Sequence, residues 1–293
     1  MHIGSDSVFT ELNSAGCRKT VRQLLRAYNL RPQKGLGQNF LEDPAILQRI
    51  VDAAELTPDD SVLEIGPGLG TLTRLLATSA GRVVAVELDE RLAAILPEIL
   101  ADCPNVETIH GDILALDPAA LFPERRPVYK VVANLPYYIT SAVLRHLLES
   151  PARPRLMVLT LQREVARRLV AGPGEMSLLA VSVQFYGQPR IVGRIPAGAF
   201  YPPPQVDSAV VRIDVYDQPP VPVDDVESFF RVVRAGFGQR RKQLRNALSQ
   251  GLGRPVEEVV AALKRAGIAP QRRAETLSLA EWAAFWREIT GAS

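Results

Sequence analysis

Between residues 61 and 134 the chain alternates between two kinds of apolar pattern. SVLEIG (61–66), RVVAVEL (82–88), VETIHG (106–111) and YKVVAN (129–134) are short, β-rich and nearly continuous apolar runs. TLTRLLATSA, ERLAAILPEIL and TSAVLRHLLES carry apolar positions at helical spacing, with Thr140 as the expected cap of the third. Fully apolar strands alternating with helices predict a parallel sheet covered on both faces. A fifth strand, RLMVLTLQ (155–162), follows, then a helix in REVARRLVAG and an apolar stretch, MSLLAVSVQFYG. Two more strands, PRIVGRIP (189–196) and VDSAVVRIDVY (206–216), close this part. Seven strands with a late hairpin-like pair predict a doubly wound α/β sheet carrying an antiparallel edge.

The flanks read differently. VRQLLRAYNL places Val21, Leu24, Leu25 and Tyr28 on one helical face and basic residues on the other. RPQKGLGQNFL is a glycine-rich loop. Asp43-Pro44 then reads as an N-cap followed by proline at the first helical position, opening the helix AILQRIVDAAEL. DQPPVPV (217–223) reads as a linker. Everything after it is helical, and Ser278-x-x-Glu281 forms a capping box for a last helix. The expected organisation is a flexible extension at 1–17, an α/β domain at 18–219 and a small all-helical domain at 220–293.

Charge adds a partner class. The net charge is only +2, but six basic residues and no acid lie between Arg18 and Lys34 (Arg18, Lys19, Arg22, Arg26, Arg31, Lys34). Six more, again without an acid, lie between Arg231 and Arg245: Arg231, Arg234, Arg240, Arg241, Lys242 and Arg245. Residues 224–293 hold 12 basic and 8 acidic side chains, a net +4. Local basic blocks in a near-neutral chain predict a polyanion-binding face; solvated helix faces are the plainer alternative. Cys17 and Cys103 have no paired spacing, which speaks against a disulfide framework and for a reducing, cytoplasmic setting. With three histidines, none near a cysteine or another histidine, no metal is expected. No apolar run approaches 18 residues, so no membrane span is expected either.

The chemistry gathers at the strand ends. LEIGPGLGTLT ends a strand, turns on Gly66, Gly68 and Gly70, and starts a helix. That pattern fits any nucleotide-type cofactor. Glu87 closes the next strand, 21 residues after Gly66, where an acid holds ribose hydroxyls; NAD still fits. Asp112 follows the third strand and Asn134 ends the fourth. In an open parallel sheet all four line one crevice at the carboxyl edge. Asn134 is the odd member, since a buried amide without a partner costs about 1–3 kcal/mol.

Asn134-Leu135-Pro136-Tyr137 matches the N-L-P-Y variant of a motif found in enzymes that methylate exocyclic amino groups. The N6 lone pair of adenine is delocalised into the ring and is a poor nucleophile. Two acceptors, the Asn134 side-chain oxygen and the Leu135 carbonyl, can hold both N6 hydrogens and favour a tetrahedral nitrogen. Pro136 stiffens the turn, and Tyr137 offers a stacking face worth about 1–3 kcal/mol per base.

Here the chain resembles the KsgA-type rRNA adenine N6,N6-dimethyltransferases, from about Leu24 to Ile289. KGLGQNFLEDPAIL, VLEIGPGLGTLT, VVAVELD, HGDIL, VVANLPYYITS, AFYPPPQVDSAVVR, FGQRRKQLRNAL and GIAPQRRAETLSLAEW carry the resemblance. It implies a Rossmann-like methyltransferase sheet that uses S-adenosyl-L-methionine. It further implies that Asn39 and Leu41 touch that cofactor, that Gly66 lies under its methionine portion, that Glu87 holds its ribose and Asp112 its adenine. Asn134 would reach both cofactor and target, and Phe200 would sandwich the target adenine against Tyr137. The implied reaction dimethylates two adjacent adenosines near the 3′ end of small-subunit (16S) rRNA. The implied partners are that RNA and the immature 30S particle, bound by a monomer. Met176-Ser177-Leu178 departs from the family, which often has Tyr-Gly here. Three alternatives remain at this level: an assembly factor acting mainly by binding, a large-subunit methyltransferase of the macrolide-resistance type, and an NAD-dependent dehydrogenase. The last leaves Asn134-Leu-Pro-Tyr unexplained.

Overall fold

The computed structural model describes residues 20–122, 128–239 and 241–292. The expected extension at 1–17 lies outside them. Seven strands form one sheet in the order β4-β3-β2-β5-β6-β9-β7. They are β2 (Ser61–Ile65), β3 (Arg82–Glu87), β4 (Val106–His110), β5 (Tyr129–Asn134), β6 (Leu156–Gln162), β7 (Gly187–Ile195) and β9 (Ser208–Val215). β2 to β6 run parallel, while β9 runs antiparallel to both β6 and β7. The predicted strands are all present, and the late pair forms the antiparallel edge. Of the four strands between 61 and 134, β4 departs from the fully buried reading. It is the opposite edge, and its side chains are half-buried or exposed.

Helices cover both faces as the crossovers demand. α2 (Pro44–Ala54), capped by Asp43 through the amides of Ala45 and Ile46, packs with α3 (Thr71–Ser79) on one face. α5 (Thr140–Leu148), α6 (Arg163–Leu169) and α7 (Leu178–Tyr186) lie on the other. α1 (Val21–Ala27) and α4 (Glu90–Ile99) share a smaller cluster with Phe40 and Leu69. The unassigned apolar stretch is α7. Ser177 caps it by accepting from the Ala180 amide, and Met176 is buried in the core, so the departure from the family motif is absorbed by structure. Thr140 is not the cap of α5. Ile139 holds that position without a side-chain bond, and Thr140 is the first helical residue and buried. A turn closed by the Ile139 amide on the Pro136 carbonyl, 3.3 Å, carries the chain straight into the helix and leaves no separate capping residue.

Two short strands escape the periodicity reading: β1 (Phe40–Leu41) and β8 (Phe200–Tyr201). They pair antiparallel, Phe40 opposite Tyr201 and Leu41 opposite Phe200. A two-residue strand has no period to detect. Its consequence is large, because it ties the glycine-rich loop before α2 to the segment carrying Phe200.

After the linker come α8 (Val226–Phe237), α9 (Leu244–Leu252), α10 (Val256–Arg265) and α11 (Leu279–Thr290), the last opened by the expected Ser278/Glu281 capping box. Their apolar faces are continuous with the sheet's core through α7. Phe185 stacks on Phe229 at 5.1 Å, and Phe229 meets Trp286 edge to face at 6.4 Å.

A buried cation fastens the far edge of β5. The Lys130 ammonium donates to the carbonyls of Ala54 and Glu55 at 3.1 and 2.7 Å and to Asp60 at 2.9 Å. It thereby holds the end of α2 against the start of β2. Lys130→Met removes one partner of a buried pair and leaves three acceptors behind. Such losses cost about 3 kcal/mol, and urea unfolding should show a lower midpoint and an unfolding free energy reduced by about that amount.

Candidate active site

The carboxyl ends of β2, β3 and β5 open into one cavity, which also receives the loop after β4. Of the expected cofactor residues, Asn39, Leu41, Gly66, Glu87, Asp112 and Asn134 all line it. So do Leu135, Pro136, Tyr137 and Phe200. The parallel register explains the convergence. Ile65 lies beside Val86 on one side and Ala133 on the other, so the next residues leave the sheet at one level.

At the β2 turn, Gly66 has φ +71° and open space where a Cβ would stand. Gly68, at φ +61°, would place a Cβ 3.0 Å from the Phe40 ring. One glycine leaves room above the turn; the other lets the 34–41 segment close down on it. Glu87 braces the same turn. Its Oε2 accepts from the Gly68 amide at 3.0 Å and its Oε1 from the Asp89 amide at 2.9 Å. Burial pushes its carboxyl up, and those two amide donors pull part of the way back. Each oxygen keeps a lone pair for a hydroxyl donor. Asp112 is exposed and uses Oδ1 to accept from the Leu114 amide at 2.9 Å.

Asn134 has its partner. Its Nδ2 donates to the Asn39 carbonyl at 3.0 Å, which orients the amide and leaves Oδ1 as the free acceptor. Asn39 itself donates from Nδ2 to the Gly37 carbonyl at 3.0 Å. The amide orientation is thus set by the glycine-rich loop, 95 residues away in sequence. Gln38 anchors that loop from the other end, donating to Asp89 at 2.7 Å. Burial pushes Asp89 up, but donors from Arg91 and Gln38 outweigh it and hold the carboxyl below its usual range.

The Tyr137 hydroxyl bonds Ser208 Oγ at 2.6 Å. That contact fixes the ring at the mouth of β5, and burial pushes the phenol up so that it stays protonated. Phe200 is buried on the β8 side, with Leu41 opposite it in the ladder. Motif reading missed Gln38, Phe40, Glu64 and Ser208. All four sit inside quoted motifs, but only tertiary contacts show what each one touches.

The expected RNA-binding residues lie apart from the cavity. Arg231 and Arg234 are exposed on α8, Arg241 and Lys242 are exposed in the following turn, and Arg245 on α9 is half-buried. Arg240 lies outside the described residues. Arg231 and Arg234 flank a shallow cleft with Gln250 and Gly251. At the cleft α8 and α9 approach closely: a Cβ on Gly251 would stand 2.6 Å from Ala235 Cβ and 2.8 Å from its Cα. In the first block Arg22 is partly committed, with its guanidinium 4.5 Å over the Tyr201 ring. Arg26, Arg31 and Lys34 are exposed. Among the described residues no group of three or more His, Cys, Asp or Glu is placed to hold a metal ion, and no helix is long and apolar enough to cross a membrane.

Glu64, on β2, is fully buried at the inner wall of the cavity, and its Oε2 has no partner among the described residues. Burial, with the Glu87 carboxylate nearby, pushes its pKa up to about 8. A carboxyl whose folded pKa is raised stabilises the fold fully below its unfolded value and loses that contribution as pH rises toward the folded pKa. Wild type should therefore lose stability to urea between pH 5 and pH 8. Glu64→Gln, which cannot ionise, should show a flatter profile and exceed wild type at pH 8.

A sequence profile of the family described as "Ribosomal RNA adenine dimethylase" matches residues 29–290. A protein of Dehalococcoides mccartyi (strain ATCC BAA-2266 / KCTC 15142 / 195), named ribosomal RNA small subunit methyltransferase A, is 52% identical over 261 residues, 89% of either chain. One of the same name from Pelotomaculum thermopropionicum is 48% identical over 276 residues, covering 90% of this chain and 94% of the relative. Among solved structures, the 23S rRNA methyltransferase ErmE aligns with a TM-score of 0.69 at 32% identity, over 86% of this chain and all of that one. A dimethyladenosine transferase from Plasmodium falciparum shares the fold, with a TM-score of 0.72 at 23% identity over 86% of this chain and 98% of that one. The chain belongs to the ribosomal RNA adenine dimethylase family.

Proposed function

We propose that this protein dimethylates N6 of two adjacent adenosines near the 3′ end of small-subunit rRNA, using S-adenosyl-L-methionine. The observation that carries the reading is the Asn134 amide, whose nitrogen is taken up by the Asn39 carbonyl so that its oxygen is the acceptor offered to the cavity. An NAD-dependent dehydrogenase has no use for that arrangement. The cavity suits the cofactor on its own chemistry. It has open space above Gly66, lone pairs on Glu87 for ribose hydroxyls and an exposed Asp112 carboxylate for an adenine amino group. Asn39 and Leu41 would cover it from the loop side. When bound, S-adenosylmethionine supplies a sulfonium-activated methyl group.

The chain's own residues do the rest. Asn134 Oδ1 and the Leu135 carbonyl accept the two N6 hydrogens of the target. This draws the nitrogen toward tetrahedral geometry and aims its lone pair into the cavity. The amino proton becomes acidic as the new bond forms, so no strong base is required. The Tyr137 ring, held by Ser208, stacks on one face of the adenine, and Phe200 bounds the slot on the β8 side. Catalysis in such a site is mostly positioning and preorganised hydrogen bonding. The target base must leave any stack to reach it.

The basic face of α8 and α9 supports a second contact, to rRNA phosphates on the immature 30S particle. Phosphate contacts position the RNA and make binding salt-sensitive. Because that face lies apart from the cavity, particle binding and methyl transfer should separate. The curated relatives named for the small subunit favour that RNA over the large-subunit target in ErmE's name.

Asn134→Ala tests the reading. With radiolabelled S-adenosylmethionine and a mixture of unmethylated 30S and 50S subunits, wild type should yield dimethyladenosine in the small-subunit RNA. The variant should transfer methyl groups about 10²–10³-fold more slowly, the usual cost of one preorganised hydrogen-bonding group, while still sedimenting with the particle. Label in large-subunit RNA, or none with wild type, would defeat the proposal.

A further inference from the structure

Two large apolar side chains on the wall of the cavity are exposed to solvent: Leu88 at 46% and Tyr138 at 60%. Leu88 directly follows Glu87, on the side given above to the cofactor. Tyr138 stands on the opposite side, immediately after Tyr137 in the turn that joins β5 to α5. The two tyrosines point to different places. Tyr137 turns inward, with its hydroxyl on Ser208. Tyr138 turns outward to the rim, where its ring lies against Gly37; a Cβ there would stand 3.4 Å from Tyr138 Cε1.

Solvent exposure of so large a ring calls for a reason. Its hydroxyl has no hydrogen-bond partner among the described residues, so polar bonding does not hold it out. The cost of leaving it in water is recovered when something flat and apolar covers it. Lys34, exposed, begins the single helical turn that Gly37 ends, so the segment on which the Tyr138 ring rests also carries an ammonium. An exposed aromatic face at the mouth of the cavity, resting on a turn that carries an ammonium, suits one nucleotide: the base on the ring and its phosphate on the lysine.

We propose that Tyr138 is the stacking platform for the base next to the one being methylated, with Lys34 holding the intervening phosphate. The inference rests on the reading of the cavity as an adenosine methylation site and assigns a second nucleotide subsite at its rim. Consecutive tyrosines then receive consecutive bases, one inside the slot and one outside. With two adjacent targets, the outer subsite would hold the second adenosine while the first is modified. It would then hold a flanking base after the strand moves by one residue. Tyr138 is a positioning and specificity residue on this account and does not touch the transferred methyl group.

The test uses the whole protein and two readouts. The first is methyl transfer to unmethylated 30S subunits by wild type, Tyr138→Ala and Tyr138→Phe. Stacking of one base is worth enough to raise the KM for the particle roughly tenfold in Tyr138→Ala. Tyr138→Phe should stay within twofold of wild type, and the dissociation constant for S-adenosylmethionine should be unchanged in both. The second is fluorescence of a short RNA with 2-aminopurine beside the target adenosine. Wild type and Tyr138→Phe should quench the probe on binding, and Tyr138→Ala should not. An unchanged KM with an unchanged quench in Tyr138→Ala would overturn the proposal. So would Tyr138→Phe failing alongside Tyr138→Ala, since the ring and not the hydroxyl is the claimed element. Wild type that quenches the probe but transfers no methyl group would defeat the methylation reading and leave the stacking subsite supported.

Discussion

The hydrogen bond from Asn134 to the Asn39 carbonyl joins the two halves of this site. A carboxamide at the end of a buried strand can present either its donor or its acceptor to a ligand, and nothing within the strand chooses. The glycine-rich loop chooses, by occupying the donor. That in turn requires the loop to lie on the cavity, and several contacts hold it there. Phe40 rests on Gly68, β1 pairs with β8, and Gln38 bonds Asp89. Loosening the loop would free the amide to rotate, so the lid over the cavity and the orientation of the central acceptor are one structural feature.

The electrostatics of the cavity follow from its depth. Glu64 and Glu87 are both buried, and burial raises both carboxyls. They differ in what they touch. Glu87 accepts two amide donors that favour its ionised form, while Glu64 has an oxygen without a partner. The floor thus offers one carboxyl braced by two amides and one that holds its proton near neutrality. A cationic ligand would favour the charged form of both.

The helical C-terminal part shares a continuous aromatic core with α7, through Phe185, Phe229 and Trp286. The proline-rich link therefore changes chain direction without separating the packing. A basic face carried on helices packed this way keeps a set position relative to the cavity.

Much of this was legible in the chain. Continuous apolar runs separated by helical periods identify a two-sided parallel sheet, because a strand buried on both faces has no polar side to show. The strand ends then nominate Gly66, Glu87, Asp112 and Asn134, because parallel strands leave the sheet at one edge. The capping residues Asp43 and Ser278 act within one turn of their own positions and are equally readable. What only the tertiary structure decided is long-range. The β1–β8 pair is too short to carry a period. Thr140 lost its capping role to a turn whose path depends on Pro136. The partner of Asn134 lies on a loop distant in sequence, and so do the surface that leaves Tyr138 exposed and the burial that raises Glu64. Local propensity and periodicity are properties of neighbours along the chain. Which donor meets which acceptor, and which ring meets solvent, depends on how distant segments close over one another.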